Sequence, residues 1–166
     1  TVANIDLRDM ISEHIHTGAQ ITMMCRRADV QPDTARDTTI LTCDEETMDV
    51  TDIMVRPDVK GTQTIYMNGL LIEKTLLERL VNEGKGHDHY SLVRHAIQPA
   101  LGKLNIKAYL FEGYAQRVSN MRSYFAASME LLDPKVRATL FPKDRPVYTK
   151  VRDQVPVKYG LSARVG

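Results

Sequence analysis

An amphipathic helix that leads straight into an apolar strand, near the start of the chain, constrains the fold more than any other sequence feature. Asp6 is an acidic N-cap, and apolar residues recur behind it at helical spacing until Gly18 ends the segment. Residues 21–25 follow at once and are apolar along most of their length, as in a strand buried on both faces. This order is typical of α/β proteins, so we expect an α/β fold with a mixed sheet.

The same two patterns recur along the rest of the chain. Residues 26–37 are interpreted as a loop, and short strands over 38–42 and 48–55 as a hairpin around the acidic turn 44–46. The other predicted elements are a strand over 64–72, a helix that Thr75 and Glu78 cap and that ends near Asn82, an amphipathic helix over 92–101 tightened by Pro99, a strand over 106–111, a helix over 121–132 capped by Ser119 or Asn120, and a further helical turn capped by Asp133.

Periodicity also predicts the core and the domain boundary. Eight side chains are expected to be buried, namely Ile21, Met23, Leu70, Ile72, Ala108, Leu110, Tyr124 and Met129. Prolines and glycines beyond Phe141 are typical of an extended linker. We therefore expect an α/β domain over 1–141 and a linker over 142–166.

Composition excludes several classes of function. The 22 basic and 21 acidic residues give a net charge of +1, so no global field attracts nucleic acid or an anionic membrane. No stretch reaches the ~18 apolar residues that a membrane helix needs. With only Cys25 and Cys43, and no apolar leader, we expect a cytoplasmic protein with reduced thiols that binds neither nucleic acid nor membrane.

Before any family resemblance is considered, the sequence contains few residue patterns that indicate catalysis. The chain has no Gly-rich phosphate loop, nucleophile elbow, Cys-x-x-Cys or His-Glu-x-x-His motif. His14 with His16, and His87 with His89, could ligate a metal. The i,i+2 spacing of the first pair places its two side chains on different faces of a helix, so solvated histidines are the more typical interpretation.

Three further features have an ordinary structural interpretation beside a functional one. Cys25 is expected to be a small core residue rather than a nucleophile, and the acidic run 44–46 a solvated turn. A basic linker could receive a phosphorylated ligand or a partner, although such segments more often serve solubility. Its residues are Lys143, Arg145, Lys150, Arg152 and Lys158.

Stretches in one consistent order then carry a family resemblance. They are Asn4-Ile5-Asp6-Leu7 through Gly18-Ala19-Gln20-Ile21-Thr22, Tyr66-Met67-Asn68 through Leu77, Phe111-Glu112-Gly113-Tyr114 through Leu132, and the tail from Arg145 through Lys158-Tyr159-Gly160 to Val165. Together they resemble the glucose-1-phosphate adenylyltransferase (ADP-glucose pyrophosphorylase) family, and within it the divergent second, regulatory subunit of Gram-positive bacteria.

The resemblance implies a fold and a reaction. This chain would be the C-terminal part of a Rossmann-like nucleotidyltransferase domain, with the family's Gly-rich ATP loop upstream of Thr1 and a left-handed β-helix beyond Gly166. In the family, a sugar phosphate attacks the α-phosphate of ATP and pyrophosphate leaves, with magnesium held by carboxylates.

Departures from the family pattern fall on its site residues. Phe-x-Glu-Lys-Pro is here Ile53-Met54-Val55-Arg56-Pro57, so the acid is lost and Arg56 replaces the sugar-phosphate lysine. Ser-Met-Gly is here Tyr66-Met67-Asn68, and Asp-Phe-Gly is here Ser91-Leu92-Val93. Tyr-Trp-x-Asp-Val-Gly-Thr is here Tyr114-Ala115-Gln116-Arg117-Val118-Ser119-Asn120, so Arg117 replaces the magnesium-binding aspartate.

These departures favour a non-catalytic subunit that works with a catalytic glucose-1-phosphate adenylyltransferase subunit. We expect no catalytic residue and no metal ligand here, with magnesium only in the partner. Arg56 and Arg117 would be degenerate equivalents, and Arg56, Tyr66 and Asn68 weak substrate contacts. An active nucleotidyltransferase with a divergent site, and a sensor of sugar phosphate or nucleotide, remain alternatives. Self-association of this part of the protein is also expected, because missing upstream strands would leave a sheet edge uncovered.

Overall fold

The computed structural model describes residues 1–31, 37–85 and 91–148. Its helices and strands, in chain order, are β1 (Val2–Ala3), α1 (Leu7–His16), β2 (Ile21–Val30), β3 (Thr39–Cys43), β4 (Val50–Val55), β5 (Gly61–Ile72), α2 (Lys74–Lys85), a π-helical turn (Val93–Ile97) continued by a 3₁₀ turn (Gln98–Ala100), β6 (Ile106–Leu110), β7 (Ala115–Gln116), α3 (Met121–Glu130) and α4 (Pro134–Leu140).

A five-stranded mixed sheet in the order β4-β3-β5-β2-β6 organises the fold. Strand β2 pairs in parallel with β6 and antiparallel with β5, which places Ile21 between Ile106 and Ile72. β1 and β7 form a separate two-stranded ribbon. The predicted α/β fold with a mixed sheet is thus confirmed for the described residues, and it fits a nucleotidyltransferase-like domain.

The predicted hairpin is also present, and its turn reaches across to the far edge of the sheet. Lys107 on β6 forms an isolated antiparallel bridge with Asp49, and the Ala108 amide donates to the Met48 carbonyl at 2.8 Å. The Lys107 Nζ lies 2.8 Å from Asp49 Oδ1 and donates to the Thr47 carbonyl at 2.9 Å. This turn covers part of the β6 edge.

A β-bulge interrupts β5 where it crosses the middle of β2. Met24 pairs with Gly69 but Cys25 pairs with Tyr66, so Met67 and Asn68 are extra residues in the ladder. Asn68 has a φ of 60°, a left-handed conformation that asparagine adopts more readily than most residues.

Burial corrects part of the predicted core. Ile21, Met23 and Ala108 are buried as expected, while Leu70, Ile72 and Leu110 are partly buried and pack against the core. The prediction was wrong for Tyr124 and Met129, which are 58% and 49% exposed. Both lie on α3, where only Ala127 is buried, so the apolar periodicity of this helix does not mark a face packed against the described core.

Several element boundaries differ from the prediction for local physical reasons. Strand β2 continues to Val30, because β5 supplies pairing partners across residues predicted to be a loop. Helix α2 begins at Lys74 and runs to Lys85, and the Thr75 hydroxyl donates to the Glu73 carboxylate at 2.6 Å instead of capping. Residues of the predicted helix over 92–101 form the π-helical and 3₁₀ turns, with Pro99 in the tighter part.

The predicted caps of three helices are confirmed. Asp6 accepts from the Arg8 amide at 3.0 Å, and Asp133 accepts from the Lys135 amide at 2.8 Å. Of the two residues proposed for α3, Asn120 is the N-cap, and it forms a reciprocal capping box with Ser123.

The described beginning of the predicted linker, residues 142–148, contains no helix or strand. Arg145 connects it to the segment before α1, since its guanidinium donates to the Asn4 carbonyl at 3.3 Å and lies 3.9 Å from the Asp6 carboxylate. Lys150, Arg152 and Lys158 lie outside the described residues. No helix within the described ranges has the length and apolar character needed to cross a membrane.

Candidate functional site

A cavity of about 600 Å³ lies between the second half of β2, the middle of β5 and the loop that joins β7 to α3. Its volume falls in the range of small-molecule sites. Strand β5 contributes Ile65, Tyr66 and Met67, and the turn into α3 contributes polar groups from Ser119, Asn120 and Ser123. Apolar walls and polar groups therefore meet at the start of α3.

Three arginines and two aspartates line this cavity, namely Arg26, Arg117, Arg122, Asp29 and Asp37. Arg26 is half-buried, and its guanidinium donates to the Gln116 side-chain oxygen at 3.4 Å. Arg117 is also half-buried. No carboxylate of the described residues forms an ion pair with Arg26 or Arg117, although Asp29 and Asp37 line the same cavity.

The two aspartates are exposed and already have polar partners. The Asn120 side-chain amide donates to Asp37 at 3.2 Å, and the Gln31 amide donates to Asp29 at 3.1 Å. Asn120 also accepts from the Ser123 amide at 2.9 Å as the cap of α3. Asn120, the cap residue, therefore links the start of α3 by a hydrogen bond to Asp37, in the segment that precedes β3.

Tyr66 forms part of the cavity wall and of the hydrophobic core. Its side chain is 4% exposed, and burial raises the pKa of the phenol to about 12. The phenol therefore stays protonated at neutral pH. It is a bulky apolar wall where the family pattern has a serine.

Of the four predicted site residues, Arg56, Tyr66, Asn68 and Arg117, the structure places Tyr66 and Arg117 in the lining of this cavity. Arg56 is exposed and outside the lining, with a φ of 56°, and its amide donates to the Thr38 carbonyl at 2.9 Å. Asn68 is exposed in the β5 bulge, also outside the lining.

Sequence reasoning missed Arg26, Arg122 and Asp37 as site residues. Arg26 lay in a segment predicted to be a loop. Nothing in the local pattern shows that this segment continues β2 by pairing with β5, or that Arg26 lines a cavity beside the start of α3. The Asp37 and Asn120 contact spans 83 positions of sequence, so no local motif could reveal it.

The cavity lining combines groups that attract a magnesium ion with groups that repel it. Magnesium prefers carboxylate and water oxygens, and the carboxylates of Asp29 and Asp37 line this cavity together with three guanidinium groups. The described residues contain no cluster of three histidine, cysteine or acidic side chains that could hold a metal. His14 instead contacts the buried Thr22 hydroxyl, with 2.7 Å between Nδ1 and Oγ1. His87 and His89 lie outside the described residues.

The remaining candidate features have structural roles. Cys25 is fully buried, and burial raises the pKa of its thiol to about 12, so it is a core residue as predicted. Asp44 accepts from the amides of Glu46 and Thr47 and shapes the exposed hairpin turn.

Comparison with known proteins supports a relationship along nearly the whole chain. It is 41% identical over 165 residues to the glycogen biosynthesis protein GlgD of Geobacillus stearothermophilus, covering 99% of this chain and 37% of that protein. It is 33% identical over 95 residues to GlgD of Bacillus subtilis, covering 57% of this chain and 27% of that protein. The chain belongs to the GlgD-type glycogen biosynthesis family. No protein-family model matches it.

Relatives of lower identity include enzymes named glucose-1-phosphate adenylyltransferase. Glucose-1-phosphate adenylyltransferase of Teredinibacter turnerae is 22% identical over 174 residues, which cover 95% of this chain and 41% of that protein. The chain thus spans well under half the length of these three relatives. The family resemblance inferred from the sequence is confirmed.

Proposed function

We propose that the protein acts in glycogen biosynthesis as a non-catalytic, regulatory subunit of a cytoplasmic glucose-1-phosphate adenylyltransferase. It would assemble with a catalytic subunit that makes ADP-glucose from ATP and glucose 1-phosphate. Magnesium would be needed only in that partner.

Arg117 carries the proposal. The family pattern has a magnesium-binding aspartate at this position, and the cavity wall here presents a guanidinium that cannot lose its charge. A divalent cation beside it would meet repulsion in place of a ligand.

Loss of chemistry with retention of fold is the expected pattern for a subunit kept for assembly. The mixed sheet, the caps of α1 and α3 and the buried core are all intact. Exposed apolar residues on α3, among them Tyr124 and Phe125, offer surface for contact with other parts of the assembly.

The test is pyrophosphate release from ATP and glucose 1-phosphate, with the partner at fixed concentration and the full-length protein added in increasing amounts. We expect the partner's rate or its apparent affinity for substrates to change and then to saturate at a fixed ratio of the two chains. A partner whose kinetics are unchanged at every ratio would contradict the regulatory role. The matched control is the partner with an equal mass of an unrelated protein.

A further inference from the structure

The part of the chain that follows α4 is attached to the domain by polar contacts around Asn4. The Asn4 side-chain amide donates to the Leu140 carbonyl at 2.9 Å and to the Arg145 carbonyl at 3.0 Å. In return, the Arg145 guanidinium donates to the Asn4 carbonyl at 3.3 Å. Two segments separated by 141 positions of sequence therefore exchange hydrogen bonds, and we call the contacts between Asn4 and residues 140–145 the clasp.

Hydrophobic packing contributes little to this attachment. Leu140, the last residue of α4, is buried, but the apolar side chains that follow it face solvent. Phe141 and Val147 are about half exposed, and Tyr148 is 91% exposed. Because burial of apolar surface is the usual source of cohesion in a folded chain, the attachment of residues 142–148 depends mainly on the clasp.

Two features limit the strength of the clasp. The Nε of Arg145 is buried and has no hydrogen-bond partner among the described residues, and an unsatisfied buried donor opposes the closed arrangement. The ion contact of Arg145 with Asp6 is long, at 3.9 Å, and the same carboxylate oxygen already accepts from Arg8 at 2.6 Å. The closed form is therefore held by a few hydrogen bonds of modest net strength.

We propose that the clasp is a releasable strap that sets the direction in which the chain leaves this domain. When it is closed, residues 142–148 are fixed against the segment before α1, and when it opens they are freed while the sheet stays folded. The sequence placed Arg145 among the basic residues able to receive a phosphorylated ligand or a partner, and the clasp gives its guanidinium a role inside the domain. This inference concerns a part of the molecule outside the cavity and goes beyond the proposed function.

Asn105 provides a matched control in the same chain. Its side-chain amide also donates to two backbone carbonyls, those of Thr17 at 3.3 Å and Gly18 at 3.0 Å. Asn4→Ala and Asn105→Ala therefore remove the same chemical groups, but of the two only Asn4 contacts the chain after α4. A general loss of stability would affect both variants, whereas release of the strap would affect one.

Trypsin cleavage of the native full-length protein after Lys143 measures the release. Cleavage there requires opening of the turn in which the Arg145 amide donates to the Pro142 carbonyl at 3.3 Å. When reclosing is faster than cleavage, the cleavage rate follows the population of the open form. Mass spectrometry identifies the bond that is cut and gives its rate.

We expect Asn4→Ala to raise the rate of this cleavage by about tenfold or more, because both donated hydrogen bonds are lost. Asn105→Ala should change the rate by less than about twofold. Arg145→Met should raise it by less than Asn4→Ala, since the Asn4 amide keeps its two carbonyl acceptors.

Two results would overturn the proposal. One is an unchanged cleavage rate in Asn4→Ala, and the other is an equal rise in Asn105→Ala, which would mean that cleavage follows general unfolding. Thermal unfolding is measured for each variant. If Asn4→Ala melts well below Asn105→Ala, Arg145→Met replaces it in the comparison, and a rate in Arg145→Met equal to that of the original protein would then contradict the strap.

Discussion

Restoring the family serine at position 66 should damage this protein rather than reactivate it. Tyr66 lies in the core cluster that contains Cys25 and Ala108, and its side chain is almost fully buried. Tyr66→Ser would remove an aromatic ring from between the sheet and the cavity. It would leave a void and a small hydroxyl in apolar surroundings.

The expected cost follows from that burial. Removing a buried aromatic side chain costs about 3–5 kcal/mol in free energy of unfolding, because transfer free energy and a residual cavity both contribute. One kcal/mol corresponds to roughly 2–4 °C of melting temperature for a domain of this size. We therefore expect Tyr66→Ser to lower the melting temperature by roughly 6–20 °C.

Thermal unfolding followed by circular dichroism measures this change, with Tyr66→Phe as the matched control. The phenol makes no hydrogen bond with the described residues, so the control should stay within about 1 kcal/mol of the original protein. A Tyr66→Ser variant that melts like the original, or that releases pyrophosphate, would refute the assignment of Tyr66 as a structural wall.

Other predictions concern the sheet, the thiols and the surface. Lys107→Met should lower stability by about 1 kcal/mol in urea unfolding, since its pair with Asp49 is half-exposed and screened. Lys107 and the Thr47 hydroxyl hold the pKa of Asp49 below its usual value of about 3.9, so this contribution should persist above pH 4 and disappear as the pH falls further; a loss that begins near neutral pH would contradict it. Cys25 should resist iodoacetamide at pH 8 until the protein unfolds, and rapid labelling of the native state would contradict its burial. The 166-residue chain should self-associate at tens of micromolar in light scattering, and Phe125→Ser should reduce the apparent mass because it removes an exposed aromatic ring from α3; a monomer mass with no concentration dependence would contradict this prediction.

Local signals in the sequence were sufficient for much of the fold. Caps such as Asp6 and Asn120 act within one turn of their own helix, and the apolar run after Gly18 identifies a strand buried on both faces. These features depend on neighbours in sequence, so periodicity and capping rules could predict them.

Features set by contacts across the chain could not be predicted in this way. The extension of β2 to Val30 depends on pairing with Gly61, which is distant in sequence. The exposure of Tyr124 depends on whether another element packs against its side of α3, and a local pattern does not contain that information. The cavity joins Arg26 to Arg117, which are 91 positions apart in sequence. The family pattern identified Arg117 and Tyr66, which both line the cavity. It also predicted Arg56 as a substrate contact, and Arg56 lies outside the cavity lining.

The most direct test of the central claim is pyrophosphate release by the purified full-length protein alone, with ATP, glucose 1-phosphate and magnesium. Losing one metal ligand or phosphate contact typically costs two to three decades of rate, so several losses together should leave no release above background. Arg117→Asp should not restore activity, because Val55 and Tyr66 still differ from the family pattern. Turnover by the protein alone at a rate comparable to that of the catalytic partner would contradict the account.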